Sequence, residues 1–467
     1  MAEEKTGKNE MNRDLARWYD ENEGLLRDWA KDIWSHPETA MQEFHACEVT
    51  ADIFRKNGFS VRTFHCKDPG LPPNTVVASW GSGHPVIGII GEYDALSGLG
   101  QDAVPYFSPK EGPGHGCGHA LMSPACGGAA LALKTVMEKE GLPGTVRFFG
   151  CPAEETVEGK VYMFHGGAFD GIDCCLAWHP QPKKWMIRED TQNCCANLKV
   201  EFFGRSAHAA SKPHMGRSAL DACELTNVAA NYLREHVEPT TRIHYSYLAA
   251  GEAPNVVPKY AALHYFLRTK DLESNYEILE RFKKIVHGAA LMTETQYKIT
   301  LNSMVTGCLQ IDDFNDLYYN AQRKIPPLEY AEEDRLFAER LFAEFFGHEP
   351  GPGDSVINTE LCAPTHQHLN APQTTDAGLV ANTFPTSRSV GLGSVNGVAG
   401  HSWAVVACSG TGLGMKAAVY ASKGLAQCAY EILRQPEKVE EWKQTLADLK
   451  QGKDLATIPP GTVLEEG

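Results

Sequence analysis

The sequence predicts an α/β protein with a ferredoxin-like α+β domain inserted into it. Three observations carry this. Over the first 190 residues or so, short apolar β-rich runs alternate with stretches of helical spacing, the pattern of a parallel or mixed sheet covered on both faces. Between about 196 and 310 the order changes to strand, helix, strand, strand, helix, strand, the split βαβ unit of ferredoxin-like domains. Metal-ligand residue types cluster where the apolar runs of the first part end, and open α/β sheets bind ligands at the carboxyl ends of their strands.

Taken in order, DLARWYDENEGLLRDWAKDIW (14–34) and HACEVTADIFRKNG (45–58) have helical spacing, the second ending at a glycine. The runs 74–80 and 85–96 read as strands, 120–138 as a helix, and 144–155 and 172–180 as strands. The inserted unit has strands at 196–204, 241–249, 260–270 and 297–305 and helices at 217–237 and 272–290. An acidic amphipathic helix at 330–346 and a long helix at about 412–434 follow, and the Pro/Gly/Glu-rich tail after Gln451 reads as loose. The expected division is 1–195 and 311–467 for one domain, with 196–310 as a second domain inserted into it. The charged N-terminus is expected to fray up to about Arg13.

A chain of 467 residues exceeds one typical domain. Its formal charge of −16 argues against nucleic acid and anionic membrane surfaces as partners. No apolar run reads as long enough to span a bilayer, and the charged start is no signal peptide. The 14 cysteines are scattered, with adjacent pairs at 174–175 and 194–195 that suit bridging poorly. Reduced, buried thiols in a cytoplasmic protein are the better expectation.

The most informative stretch is GHGCGHALM (114–122), where Cys117 and His119 sit in a glycine-rich turn entering an apolar helix. CPAEE (151–155), AWHP (177–180) and GHSW (400–403) add Glu155, His179 and His401. Three imidazoles, a thiolate and a carboxylate exceed the needs of one tetrahedral ion and suit two divalent ions sharing a bridge. Such a site acidifies water and polarises a carbonyl, leaving a base to be found. Glu154, beside Glu155, can face the water while its neighbour binds metal. A Cys117 nucleophile paired with His119 or His401 is a rival reading, but it leaves Glu155 and His179 idle. A non-catalytic regulatory protein that keeps the fold is another, against which the intact Glu154 argues.

These motifs, with GEYDAL (91–96), GRSAHAA (204–210) and APNVVP (253–258), resemble those of the di-metal aminoacylase and carboxypeptidase-like amidohydrolases over roughly residues 15–435. That superfamily includes auxin–amino acid conjugate hydrolases, N-acyl-amino acid amidohydrolases and p-aminobenzoyl-glutamate hydrolases, and the chain is most similar to the last branch. The resemblance implies that Cys117 bridges the metals, with His119 and His179 at one and Glu155 and His401 at the other. It implies Glu154 as general base and Asp94 as the carboxylate that holds the site in shape. His208 would reach an active site, often the partner chain's, as oxyanion donor, and Asn255 and Arg268 would hold the substrate carboxylate. Many members of the wider clan have a histidine ligand where this chain has Glu92. That departure leaves the metal open between zinc and manganese. The implied fold is a zinc-peptidase-like catalytic domain (1–195 and 311–467) whose inserted domain (196–310) serves as lid and dimerisation module. The implied activity is amide hydrolysis of a small N-acyl or N-aroyl amino acid, or of a dipeptide such as a β-alanyl or other Xaa-amino acid, in a homodimer joined through the lid.

Overall fold

The computed structural model describes residues 10–467; residues 1–9 of the N-terminal stretch expected to fray lie outside the described residues. Helices α1 (Arg13–Ser35) and α2 (Phe44–Lys56) come first, α1 starting beside the Asn12 side chain, which accepts the backbone N–H groups of Asp14 and Leu15. Strands β1 (Ser60–Phe64), β2 (Thr75–Ser82) and β3 (Val86–Glu92) follow, then α3 (Met122–Glu140), β4 (Gly144–Cys151), α4 (Gly159–His165), β5 (Cys174–His179) and the short β6 (Met186–Ile187). The inserted unit is β7 (Cys194–Phe203), α5 (Ala219–Leu233), β8 (Arg242–Ala249), β9 (Tyr260–Thr269), α6 (Leu272–Thr293) and β10 (Gln296–Val305). The chain ends with α7 (Asp312–Gln322), α8 (Glu332–Phe346), α9 (Gly378–Thr383), β11 (Thr386–Val390), α10 (Trp403–Ser409), α11 (Gly412–Arg434), α12 (Glu437–Lys450) and β12 (Thr462–Glu466).

Seven strands form the catalytic sheet in the order β1-β2-β4-β3-β5-β11-β6. Its centre, β4-β3-β5-β11, is parallel, and antiparallel pairs close both sides. One face buries Ile87, Ile89, Leu176 and Trp178 against α1, α3, α7 and α11. The other buries Ile90, Phe149, Cys175 and Ala177 in a smaller cluster. Side chains alternate along a strand, so His179 shares this second face with Cys175 and Ala177. The C-terminal ends of β3, β4 and β5 open there.

The lid sheet runs β12-β10-β7-β9-β8, all antiparallel, with α5 and α6 packed over buried Leu198, Val200, Leu263 and Ile299. The expected βαββαβ unit is there in ferredoxin-like order. Two features differ from the sequence reading. The tail after Gln451 is not loose throughout: β12 pairs with β10, so the chain's last strand belongs to the lid sheet rather than to the catalytic part. Helix α12 also follows α11, its Trp442 stacked on Phe314 with ring centroids 3.9 Å apart.

One segment, His119–Glu140, is long and apolar enough to cross a membrane, contrary to the reading that no run is. It is rich in Ala, with Gly127 and Gly128, because it is the central core helix, pressed on by Leu26, Trp29 and Ser422 at those two glycines.

Candidate active site

The strand ends and the loops after them bring the five expected ligand residues together. Cys117 lies in the turn before α3. Gly118 there is left-handed at φ 82°, and a Cβ on it would sit 2.8 Å from Pro180. Only glycine lets this turn approach the end of β5 so closely. The turn also anchors the GHSW loop, since His401 donates its backbone N–H to the Gly116 carbonyl at 2.9 Å. His401 itself is held at φ 56°, an uncommon conformation for a residue with a Cβ.

The ligand-type atoms of Cys117, His119 and His179 all lie within 4.8 Å of one another, and so do those of Cys117, Glu155 and His401. The two sets share Cys117. Its Sγ is 3.5 Å from His179 Nε2, and His401 Nε2 is 3.4 Å from Glu155 Oε2. His179 donates Nδ1–H to the Pro180 carbonyl at 2.7 Å, which turns Nε2 toward the cluster. Asp94, fully buried, receives His119 Nδ1–H on one oxygen and the Glu155 backbone N–H on the other, each at 2.8 Å. One carboxylate thus orients a residue of each set.

The general-base candidate, Glu154, places Oε2 3.8 Å from His119 Nε2. Its turn is strained: Ala153 and Val157 have φ of 52° and 53°. Such backbone persists where the surroundings over-determine it. Here buried Glu43, from the α1–α2 connection, accepts the Ala153 N–H at 2.7 Å and the Met41 N–H at 3.0 Å. Nothing in the sequence around Glu43 signals this support.

Burial, reinforced by the Glu92 carboxylate, pushes Glu154 well above the usual carboxylate range. Burial raises Glu155 to about 7. It lowers His179 to about 3, with help from His119. Burial and then Glu155 push the Cys117 thiol up, the opposite of what an activated nucleophile needs. His119 Nε2, Glu155 Oε1 and Glu92 Oε2 are buried with no hydrogen-bond partner. Orphaned acceptors around a thiol, in a set of imidazoles and carboxylates, are the chemistry that divalent cations satisfy. The residues therefore fit the expected ions.

Glu92 is the position at which the sequence departs from the pattern that the resemblance implies for many members of the wider clan. Its Oε1 lies 2.7 Å from Lys160 Nζ and its Oε2 3.3 Å from His119 Nε2. Lys160 is fully buried and pairs also with buried Asp376 at 2.5 Å. Burial works against the ammonium, but Asp376 and Glu92 outweigh it and hold it well above the ordinary lysine range. Sequence reasoning assigns no role to Lys160 or Asp376. Their only signals are a lysine opening the otherwise apolar α4 and an aspartate in TTDAG.

The three residues expected to act from the lid divide. Arg268, on β9, reaches the cleft in front of the ligand cluster, its Nε buried and unpartnered and its guanidinium 5.3 Å from the Phe266 ring centre. His208 and Asn255 do not line that cleft within one chain. They are exposed on neighbouring lid loops, joined by the His208–Val256 bridge and a 3.0 Å bond from the Ala209 N–H to the Asn255 carbonyl. The cleft measures about 500 Å³, the size of small-molecule sites.

Sequence comparison matches residues 88–404 to peptidase family M20/M25/M40. One of the p-aminobenzoyl-glutamate hydrolase subunits of Escherichia coli is 34% identical over 446 residues, covering 89% of this chain and 91% of that protein. The Xaa-Arg dipeptidase of Mus musculus is 28% identical over 301 residues, 61% of this chain and 64% of that protein. Among solved structures, the aminobenzoyl-glutamate utilization protein from Klebsiella pneumoniae superposes with a TM-score of 0.60 at 19% identity, covering 88% of this chain and 98% of that one.

Proposed function

The chain belongs to peptidase family M20/M25/M40 and is an amidohydrolase or peptidase; from that premise we propose that it uses two divalent ions to hydrolyse the amide bond of N-acyl or N-aroyl amino acids such as p-aminobenzoyl-glutamate. One observation carries the proposal: two sets of ligand-type atoms share Cys117, with Glu154 beside them. His119 and His179 would hold one ion, Glu155 and His401 the other, and Cys117 both. When bound, a pair of zinc or manganese ions supplies Lewis-acid polarisation of an amide carbonyl and makes water more acidic.

The chain's own residues do the rest. Glu154 takes the proton from the attacking water and returns it to the departing amine. Its burial suits that task, because a base raised toward neutrality both accepts and releases a proton readily. Asp94 keeps His119 Nδ1 protonated and so keeps Nε2 on the cluster. Arg268 offers its guanidinium, whose buried Nε is unpartnered, to the substrate's α-carboxylate. His208 is proposed to act across a homodimer as oxyanion donor. Its exposure, and the exposed Tyr232, Tyr247 and Leu248 on α5 and the edge strand β8, support pairing of two lids. The cysteines are all free thiols, which supports a reducing, cytoplasmic setting. A dipeptidase of the same fold is the second reading, favoured by the Xaa-Arg dipeptidase match. A hydrolysis panel of N-aroyl amino acids and dipeptides with added zinc or manganese tests the choice. Turnover of N-aroyl amino acids is expected, and turnover of dipeptides alone overturns it.

A further inference from the structure

The cleft continues past the ligand cluster along the face of β5 and β11, and its far wall is cationic. Arg388 lies on β11 opposite Ala177 of β5, while Val390 lies opposite His179. With a two-residue alternation, Arg388 presents to the same face as His179, set back about 6.6 Å along the strand. It is only 9% exposed, yet no carboxylate pairs with it among the described residues. Its Nη2 donates to Gln192 Oε1 at 2.9 Å, and its carbonyl accepts the Arg188 backbone N–H. Arg188, 8% exposed, also lines the cleft and pairs with Asp190 at 2.8 Å. Thr374 lines the same cleft, with its buried Oγ1 unpartnered.

A buried guanidinium without a counter-charge costs several kcal/mol unless something satisfies it. Nothing in the bulk composition favours cations here, since the chain has 43 Lys and Arg against 59 Asp and Glu. The carboxylates at the other end of the cleft do not fill the role: Glu154 and Glu155 face the ligand cluster and Glu92 pairs with Lys160. A neutral ligand leaves Arg388 unpaired, and a cationic side chain meets like charge.

We infer that the Arg388 wall, with Arg188, Gln192 and Thr374, is a carboxylate subsite that selects substrates whose amino-acid half is acidic, of the glutamate or aspartate class. Resting on the hydrolase reading above, it adds a second anion site to the one at Arg268. Dicarboxylates would be held at both ends, the α-carboxylate by Arg268 and the side-chain carboxylate by Arg388. An arginyl dipeptide would be excluded, which separates this chain from its dipeptidase relative.

The test uses the metal-loaded full chain carrying Glu154→Gln, so that ligands bind without turnover. Calorimetry compares N-benzoyl-glutamate with its neutral isostere N-benzoyl-glutamine, and N-benzoyl-aspartate with N-benzoyl-asparagine. Each acid should bind at least about tenfold tighter than its amide, the range of one charged hydrogen-bonded pair. The pair with the larger ratio identifies the side-chain length the wall reads. Adding Arg388→Gln should remove the preference. Arg388→Lys, which keeps the charge without the fork, should retain part of it and covers the case of a Gln variant that does not fold. No binding, acid and amide binding within about threefold, or a preference that survives Arg388→Gln in folded protein overturns the subsite. Failure of the wild-type chain to hydrolyse any N-acyl amino acid overturns the hydrolase reading instead, and the binding ratio still decides the subsite.

Discussion

Replacing Lys160 with methionine isolates the electrostatics beneath the active site, because the two side chains have similar length and the position is fully buried. In the wild type the ammonium pairs with Asp376 at 2.5 Å and Glu92 at 2.7 Å, the carboxylates being 0% and 5% exposed. Removing the cation leaves two buried anions facing each other. Breaking a buried pair from one side costs about 3–5 kcal/mol. The protein can limit that cost by protonating one carboxylate. From an ordinary aspartate value of about 3.9, holding the proton at pH 8 costs about 5–6 kcal/mol, which caps the effect. The sign with pH follows. A folded-state carboxyl raised above its unfolded value favours the fold at low pH and loses that favour as pH rises. The deficit of Lys160→Met should therefore shrink by up to about 1.4 kcal/mol per unit as pH falls from 8 to 6. Adding Asp376→Asn should recover part of the loss, since the amide oxygen can still accept the backbone N–H at position 160. Urea unfolding followed by tryptophan fluorescence at pH 6, 7 and 8 measures this. A variant within about 1 kcal/mol of wild type at pH 8, or a deficit independent of pH, means that Lys160 does not neutralise the two carboxylates.

Glu154→Gln should keep its metal and lose about 10²–10⁴-fold in kcat, because the amide cannot take a proton; a loss within about threefold removes Glu154 as the base. His208→Ala should cost about 10²–10³ in kcat with metal content unchanged. Mixed dimers of that variant with Glu154→Gln chains should recover activity, and confirmed mixed dimers as inactive as both parents refute a shared site. Asp173 accepts from Lys443 at 2.6 Å, from the Val86 N–H at 2.7 Å and from His84 at 2.6 Å. Burial opposes its charge, but these donors hold it below the ordinary aspartate range. Its stabilisation is present above the unfolded value and is lost as pH falls through the folded one. Asp173→Asn should therefore flatten the acid limb of stability against pH, and an unchanged limb contradicts the pairing.

The parts of the fold legible in sequence are those fixed by local periodicity. The apolar runs at β3, β4 and β5 and the βαββαβ order of the lid needed no tertiary knowledge. Strand β11 did not show itself because TSRSV is polar, and its buried serines are satisfied by distant partners such as Asn315 and Tyr318. Strand β12 is a short polar edge segment whose partner β10 lies far back in the chain, before the whole second part of the catalytic domain. Helix α12 is dominated by charge, which masks Val439, Trp442 and Leu446 on its buried side. At the site, glycine-flanked and Pro-flanked ligands carry a local signature, and Cys117, His119, Glu155, His179 and His401 do converge. Arg388 and Glu43 carry none, and Lys160 and Asp376 show only a lone charge without a partner, because each acquires its meaning only when a residue far along the chain is placed beside it.

A pair of ions that share Cys117 makes metal content depend on that one sulfur, which metal analysis of purified, reconstituted wild type beside Cys117→Ala and His401→Ala reads out. About two divalent ions per chain are expected in the wild type, about one in His401→Ala and fewer than one in Cys117→Ala, because only the sulfur belongs to both ligand sets. Less than one ion in the wild type, or two retained by Cys117→Ala, contradicts the shared pair.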